Sequence, residues 1–166
     1  MQRPKNQDAD AFLREQIVAI SPALVFIDAP LSLPKVYRQR VAEAGADFFF
    51  RQGDRDLKAM SPMFLGGLTA RAMKLKADLA GFSFYETYPA KMAKILGLDY
   101  LNYKKNLVDI GQILNKLLHH YPIFALSTNP KNWHEVDAIL ATISAYRFFN
   151  NLHNGYGNEL EGVIYV

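Results

Sequence analysis

Short apolar runs bounded by turn residues alternate along the chain with longer stretches in which apolar positions recur at helical spacing. Residues 8–20 (DADAFLREQIVAI) put Phe12, Leu13, Ile17 and Ile20 on one side, the pattern of an amphipathic helix. Val25, Phe26 and Ile27 form a β-branched and aromatic run within 23–28, read as a strand that Pro30 and Pro34 prevent from continuing. Residues 35–44 read as a short helix stopped by Gly45, and 46–66 as a short helix mixed with loops. From 68 to 81, Leu68, Ala72, Leu75 and Leu79 share a helical face that ends at Gly81. FSFYETY (82–88) alternates as a strand, and Pro89 suits the first turn of a helix running to Leu96 and stopped by Gly97. Another amphipathic helix spans 107–119. NWHEVDAILATISAYRFFNN (132–151) carries the strongest helical pattern, with Asn132 and Glu135 spaced as a capping box. HNGYGNE reads as a turn-rich loop and LEGVIYV as a final short strand or extended tail.

This order predicts an α/β protein, with residues 1–166 as one domain and no repeat, low-complexity tract or linker. Only two strands stand out clearly. A stable sheet usually needs three or more, so strands are missing from the pattern.

Composition narrows the classes. Half the residues are hydrophobic and 13% are aromatic, which is enough for a sizeable core. The absence of cysteine excludes disulfides, thiolate zinc sites and cysteine nucleophiles. No apolar run approaches the ~18 residues that span a membrane. The start, MQRPKNQDAD, lacks the apolar centre of a signal peptide. The expectation is a soluble cytoplasmic protein without a membrane partner. The net charge of +3 is uneven: nine bases between Lys35 and Lys76 face four acids, making that segment +5 and the remainder −2. Such an excess suits a phosphate-bearing partner or an ordinary solvated helical surface.

Three carboxylates occupy telling places. Asp28 ends the first strand, Glu86 lies near the end of the second, and Asp137 sits in the last long helix on a face with Leu140, Ala141 and Ser144. If the strands run parallel, their carboxyl ends collect a ligand site, and the small, apolar face of the helix turns Asp137 toward it. Each acid also has a plainer role. Asp28 suits a turn, Glu86 an exposed edge strand, and Asp137 the positive end of a helix. Clustered like charges cannot all stay ionised unaided, and a hard cation such as Mg²⁺ would resolve the conflict.

IDAPLSLP (27–34), GDRDLKAM (53–60), SPMFLGGLTARAMKLK (61–76), ETYPA (86–90), HEVDAILATISAY (134–146) and GNELEGVIYV (157–166) together resemble a family of predicted nucleases. That family is known as domain of unknown function 429 and is assigned a ribonuclease H-like fold. The resemblance implies a mixed sheet flanked by helices and a metal-dependent nuclease using Mg²⁺ or Mn²⁺. Asp28, Glu86 and Asp137 match its acids, as metal ligands and catalytic residues. Asp54 and Arg55 match an Asp-Arg pair that faces substrate, and Arg38 joins them as a phosphate contact. Members usually begin with a strand carrying Gly-Ile-Asp and two further antiparallel strands, whereas this chain begins at the helix that should follow them. The fold is therefore expected to be N-terminally truncated, with an exposed sheet edge that favours a homodimer. The alternative is a catalytically inactive nucleic-acid-binding or assembly module.

His134, three residues before Asp137, reads either as an assistant to the site or as a solvent-exposed residue at a helix start. Trp133, Phe48–Phe50 and Phe148–Phe149 suit core packing or an oligomer interface better than base stacking. Arg40 joins Arg38 and Arg55 among possible phosphate contacts.

Overall fold

The computed structural model describes residues 8–39, 44–123 and 125–166. Four strands form one mixed sheet: β1 (Val25–Ile27), β2 (Phe84–Glu86), β3 (Gly155–Asn158) and β4 (Gly162–Tyr165). Their order is β1-β2-β4-β3. β1 and β4 both run parallel to β2, and β3 runs antiparallel to β4. β1 and β3 form the two edges of the sheet.

Six α-helices accompany the sheet among the described residues: α1 (Ala9–Ile20), α2 (Gln52–Leu57), α3 (Gly66–Asp78), α4 (Pro89–Ile95), α5 (Ile110–His120) and α6 (Trp133–Phe149). The helix expected over 35–44 is a 3₁₀ turn, Lys35–Arg38, and residues 40–43, including Arg40, lie outside the described residues. α6 starts where Asn132 Oδ1 accepts the Glu135 amide at 3.0 Å. Glu135 completes the cap from one residue further out, accepting from the Lys131 amide at 2.6 Å.

Strand alternation divides the core in two. Val25, Ile27 and Phe84 face one side, where they meet Ile17 of α1 and Leu75 and Leu79 of α3. Phe26, Tyr85 and Tyr165 face the other side and pack with Phe148 of α6. Behind α6 lies the larger core, in which Met92, Leu98, Ile113, Leu140, Ile143 and Val166 are fully buried.

β3 comes from the stretch that reads as a turn. Its Gly157 serves close packing against α2 as well as backbone shape. A Cβ on Gly157 would stand 2.8 Å from the Gly162 carbonyl oxygen and 3.1 Å from the Gly53 nitrogen, and Gly157 has φ +97°. Gly157→Ala should therefore lower stability by roughly 1–3 kcal/mol, the range for a strained backbone site. Denaturant titration checks it, and an unchanged midpoint would disprove the constraint.

Candidate functional site

A recess of about 110 Å³ opens at the carboxyl ends of the parallel strands, bordered by Asp28, Arg51, Glu86, Thr87, Tyr88 and Ile164. Asp28 follows β1 directly. Its surface is exposed at the mouth, yet protein surrounds the carboxyl on most sides. That burial, reinforced by the charge of Asp137 and, behind Lys104, of Glu86, pushes its pKa up from 3.8 to about 6. Lys104 and His134 oppose the rise.

Asp137 is 7% exposed, on the α6 face that packs toward the sheet. The Tyr103 hydroxyl donates to its Oδ1, and Lys104 Nζ lies 2.7 Å from its Oδ2. Burial and then this hydrogen bond hold the phenol of Tyr103 well above its usual range, so it remains a donor. Burial and the nearby Asp28 also raise Tyr88. The Thr87 hydroxyl is buried with no hydrogen-bond partner among the described residues.

Glu86 does not join the other two acids. Ile27 is its register partner, so Asp28, one residue on, alternates to the opposite face of the sheet. Glu86 instead meets Arg51, which is 1% exposed. Arg51 Nη2 donates to Glu86 Oε1 at 2.6 Å and Nη1 to Oε2 at 2.7 Å, while the Leu31 amide adds a bond at 2.9 Å. The other side of the guanidinium bonds Asp54 through Nε at 3.0 Å and Nη2 at 2.6 Å. Burial alone would lower the pKa of Arg51; its bonds to Glu86 and Asp54 reverse this and raise it.

Asp54, expected to face substrate, is 1% exposed and held by Arg51. Arg55 is exposed, ion-paired with Asp47, with its guanidinium 5.7 Å from the Phe50 ring centre. Arg38 donates to the Leu160 carbonyl at 2.7 Å. Neither borders the recess. Trp133 packs edge-on against Tyr103 with ring centres 5.5 Å apart.

The sequence reading missed Arg51, Tyr103, Lys104 and Glu161. Arg51 Nη1 also donates to Ser32 Oγ at 2.8 Å, and that hydroxyl donates to the Glu161 carbonyl. The Glu161 carboxylate accepts the amides of Lys35 at 3.0 Å and Gln52 at 2.9 Å. Burial pushes its pKa up, but these donors and Asn158 outweigh it and leave it below the ordinary value. The one sequence signal for Arg51 was its spacing to Asp54, three residues on. Tyr103 and Lys104 sit in a polar stretch that gave none.

The fold defines an α/β protein with a four-stranded mixed sheet and an acid-lined recess at the ends of its parallel strands. No family model, curated protein or solved structure matches the chain. No helix among the described residues is long and apolar enough to cross a membrane.

Lys104 stands at Asp137 where a bound cation would compete with it. Were a divalent cation held there, Lys104→Ala should tighten Mn²⁺ binding several-fold, because it removes a competing charge 2.7 Å from a buried carboxylate. Calorimetry reads this, and weaker binding would make Lys104 a helper rather than a competitor.

Proposed function

We propose that the protein is a ribonuclease H-like hydrolase that cleaves phosphodiester bonds of nucleic acid with Mg²⁺ or Mn²⁺. What carries this reading is a placement: Asp28 borders a recess at the carboxyl ends of the parallel strands, and the buried Asp137 of α6 lies near enough for its charge to act on Asp28. Like charges so placed resist joint ionisation unless a cation or a proton separates them.

The donor set supports a metal in part. Among the described residues, no group of three or more acidic, histidine or cysteine side chains has a metal-holding arrangement. Glu86 is unsuited, because both its oxygens are bonded to Arg51. Asp28 suits Mg²⁺, which is commonly held by one or two carboxylates while keeping water and substrate phosphate as further ligands. Asp137, bonded by Tyr103 and Lys104, would join it only where the cation displaces Lys104 from its Oδ2. A divalent cation there would supply Lewis acidity toward a phosphate oxygen and acidify water. Tyr103 orients Asp137 by donating to it. Arg51 keeps Glu86 paired, and Tyr88 and Thr87 supply hydroxyls at the recess.

Titration calorimetry with Mn²⁺ tests the reading. Saturable binding by wild type, lost in Asp137→Asn, is the expected result. No binding by either would overturn the metal site. It would favour the second reading, an inactive nucleic-acid-binding module, which the pairing of Glu86 with Arg51 and of Asp137 with Lys104 supports on its own terms.

A further inference from the structure

A face of large apolar side chains lies exposed next to the recess. Tyr37 is 47% accessible, Phe48 47%, Phe49 51%, Met60 59% and Phe64 65%. Large aromatics normally dominate buried area, and the run Phe48–Phe50 is expected to be core. Its exposure has a local cause. Asp47 Oδ1 accepts the amides of Phe49 at 2.8 Å and Phe50 at 2.9 Å, a turn that bends the run and leaves Phe48 and Phe49 at the surface.

The rings are held in place. Tyr37 packs edge-on against Phe48 with centres 6.2 Å apart, and its hydroxyl donates to the Phe48 carbonyl at 3.2 Å. Phe64 lies 5.6 Å from Phe49 and 5.9 Å from Phe50, centre to centre. The Ser61 hydroxyl bonds the Phe49 carbonyl at 2.5 Å. These exposed rings form two fixed groups, Tyr37 with Phe48 and Phe64 with Phe49 and Phe50, joined through the chain at Phe48–Phe49, and exposed apolar surface held this way suits an interaction site.

Its surroundings select the occupant. Met60 and Leu65, on either side of Phe64 in the chain, border the recess that holds Asp28. Arg55 stands over Phe50, and Arg38 and Lys58 are exposed nearby in sequence, against the exposed Asp56 and the half-buried Asp47. Flat rings beside cations, running up to a site proposed to act on phosphodiesters, match the two chemistries of a nucleic-acid strand. Its base faces stack, and its phosphates pair with arginine and lysine.

The geometry points to this face as a stacking platform for single-stranded nucleic acid, with bases on Phe49 and Phe64 and phosphates on Arg55 and Lys58. The inference rests on the nucleic-acid reading above and adds the form of the polymer. A duplex hides its base faces, so only an unpaired segment reaches these rings.

Fluorescence anisotropy with a short labelled single-stranded oligonucleotide of mixed sequence tests it. EDTA is present, so that binding is read apart from cleavage. Tighter binding of the single strand than of its duplex is expected, together with about tenfold weaker binding in Phe49→Ala and in Phe64→Ala. Arg55→Ala should flatten the salt dependence. Because Phe49 and Phe64 are exposed, both variants should keep the fold, which circular dichroism verifies.

Equal affinity in the phenylalanine variants, or a preference for duplex, would overturn the platform. Cleavage of the same oligonucleotide in Mn²⁺ is followed separately. Cleavage without aromatic dependence leaves the hydrolase standing and the platform refuted. Aromatic-dependent binding without cleavage does the reverse. Absence of oligonucleotide binding, with a concentration-dependent dimer broken by Phe64→Ala, would assign the face to a second copy and overturn the proposal.

Discussion

Arg51→Met should lower stability by roughly 3–5 kcal/mol, the range for removing one partner from a buried charge network. Methionine approximates the arginine stem but leaves Glu86 and Asp54, 7% and 1% exposed, without their shared cation. It also leaves Ser32 Oγ without its donor. The network itself need not add net stability, since ion pairs lose solvation on burial. The loss comes from stranding the acids. Adding Glu86→Gln and Asp54→Asn to Arg51→Met should recover part of it, because neutral amides tolerate burial better than stranded carboxylates. Urea titrations of the single and triple variants measure this. A deficit under about 1 kcal/mol for Arg51→Met would refute the account of Arg51 as the shared counter-ion.

If the proposed Mn²⁺-dependent cleavage exists, Asp28→Asn should abolish it while leaving the fold intact or more stable. Groups that merely orient metal-holding side chains already change activity by about 10–100-fold, so removing a carboxylate in contact should exceed about 100-fold. The stability effect has a definite sign. The ordinary pKa of Asp28 is 3.8 and its folded value is about 6, so between these the folded chain holds a proton that the unfolded chain releases. Stability therefore falls as pH rises through that window, and the penalty is complete above it. Burial sets the value first; Asp137 and Glu86 raise it further, and Lys104 and His134 lower it. Asparagine carries no such penalty. The variant should melt near wild type at about pH 4 and above it near pH 8. A lower melting temperature near pH 8 would make Asp28 a turn-former whose carboxylate supports the backbone.

Local patterns made much of this architecture legible in the sequence. β-branched and aromatic residues marked β1, alternation marked β2, and Asn132 with Glu135 marked the start of α6. The parallel run of β1 and β2 places Asp28 and Glu86 at carboxyl ends, as the site argument required. What the sequence left open was register. Alignment of Ile27 with Glu86 sends Asp28 and Glu86 to different faces, and a one-residue slip would have put them together. β3 escaped notice because Gly155, Gly157 and Asn158 are turn residues; here Gly157 and Asn158 meet α2, and Gly155 lies against β4. Arg51 looked like one more base in a basic stretch. Its burial depends on Ser32 and Glu86, far away in the chain.

The position of β4 between β2 and β3 sets the order in which the recess can assemble. The contacts that tie the Glu161 turn behind the Arg51 network join residues 126 and 129 positions apart, Lys35 to Glu161 and Ser32 to Glu161. Such long closures are entropically costly before other contacts reward them. Helices α1 and α3 can meet early, through contacts nearer in the chain. Glu161, however, reaches the Lys35 and Gln52 amides only once the strand nearest the far end of the sequence slots in beside β2. During refolding, protection of the Lys35 and Gln52 amides from hydrogen exchange should therefore lag behind that of α3. A chain emerging from synthesis would acquire its acidic recess as one of the last acts of folding.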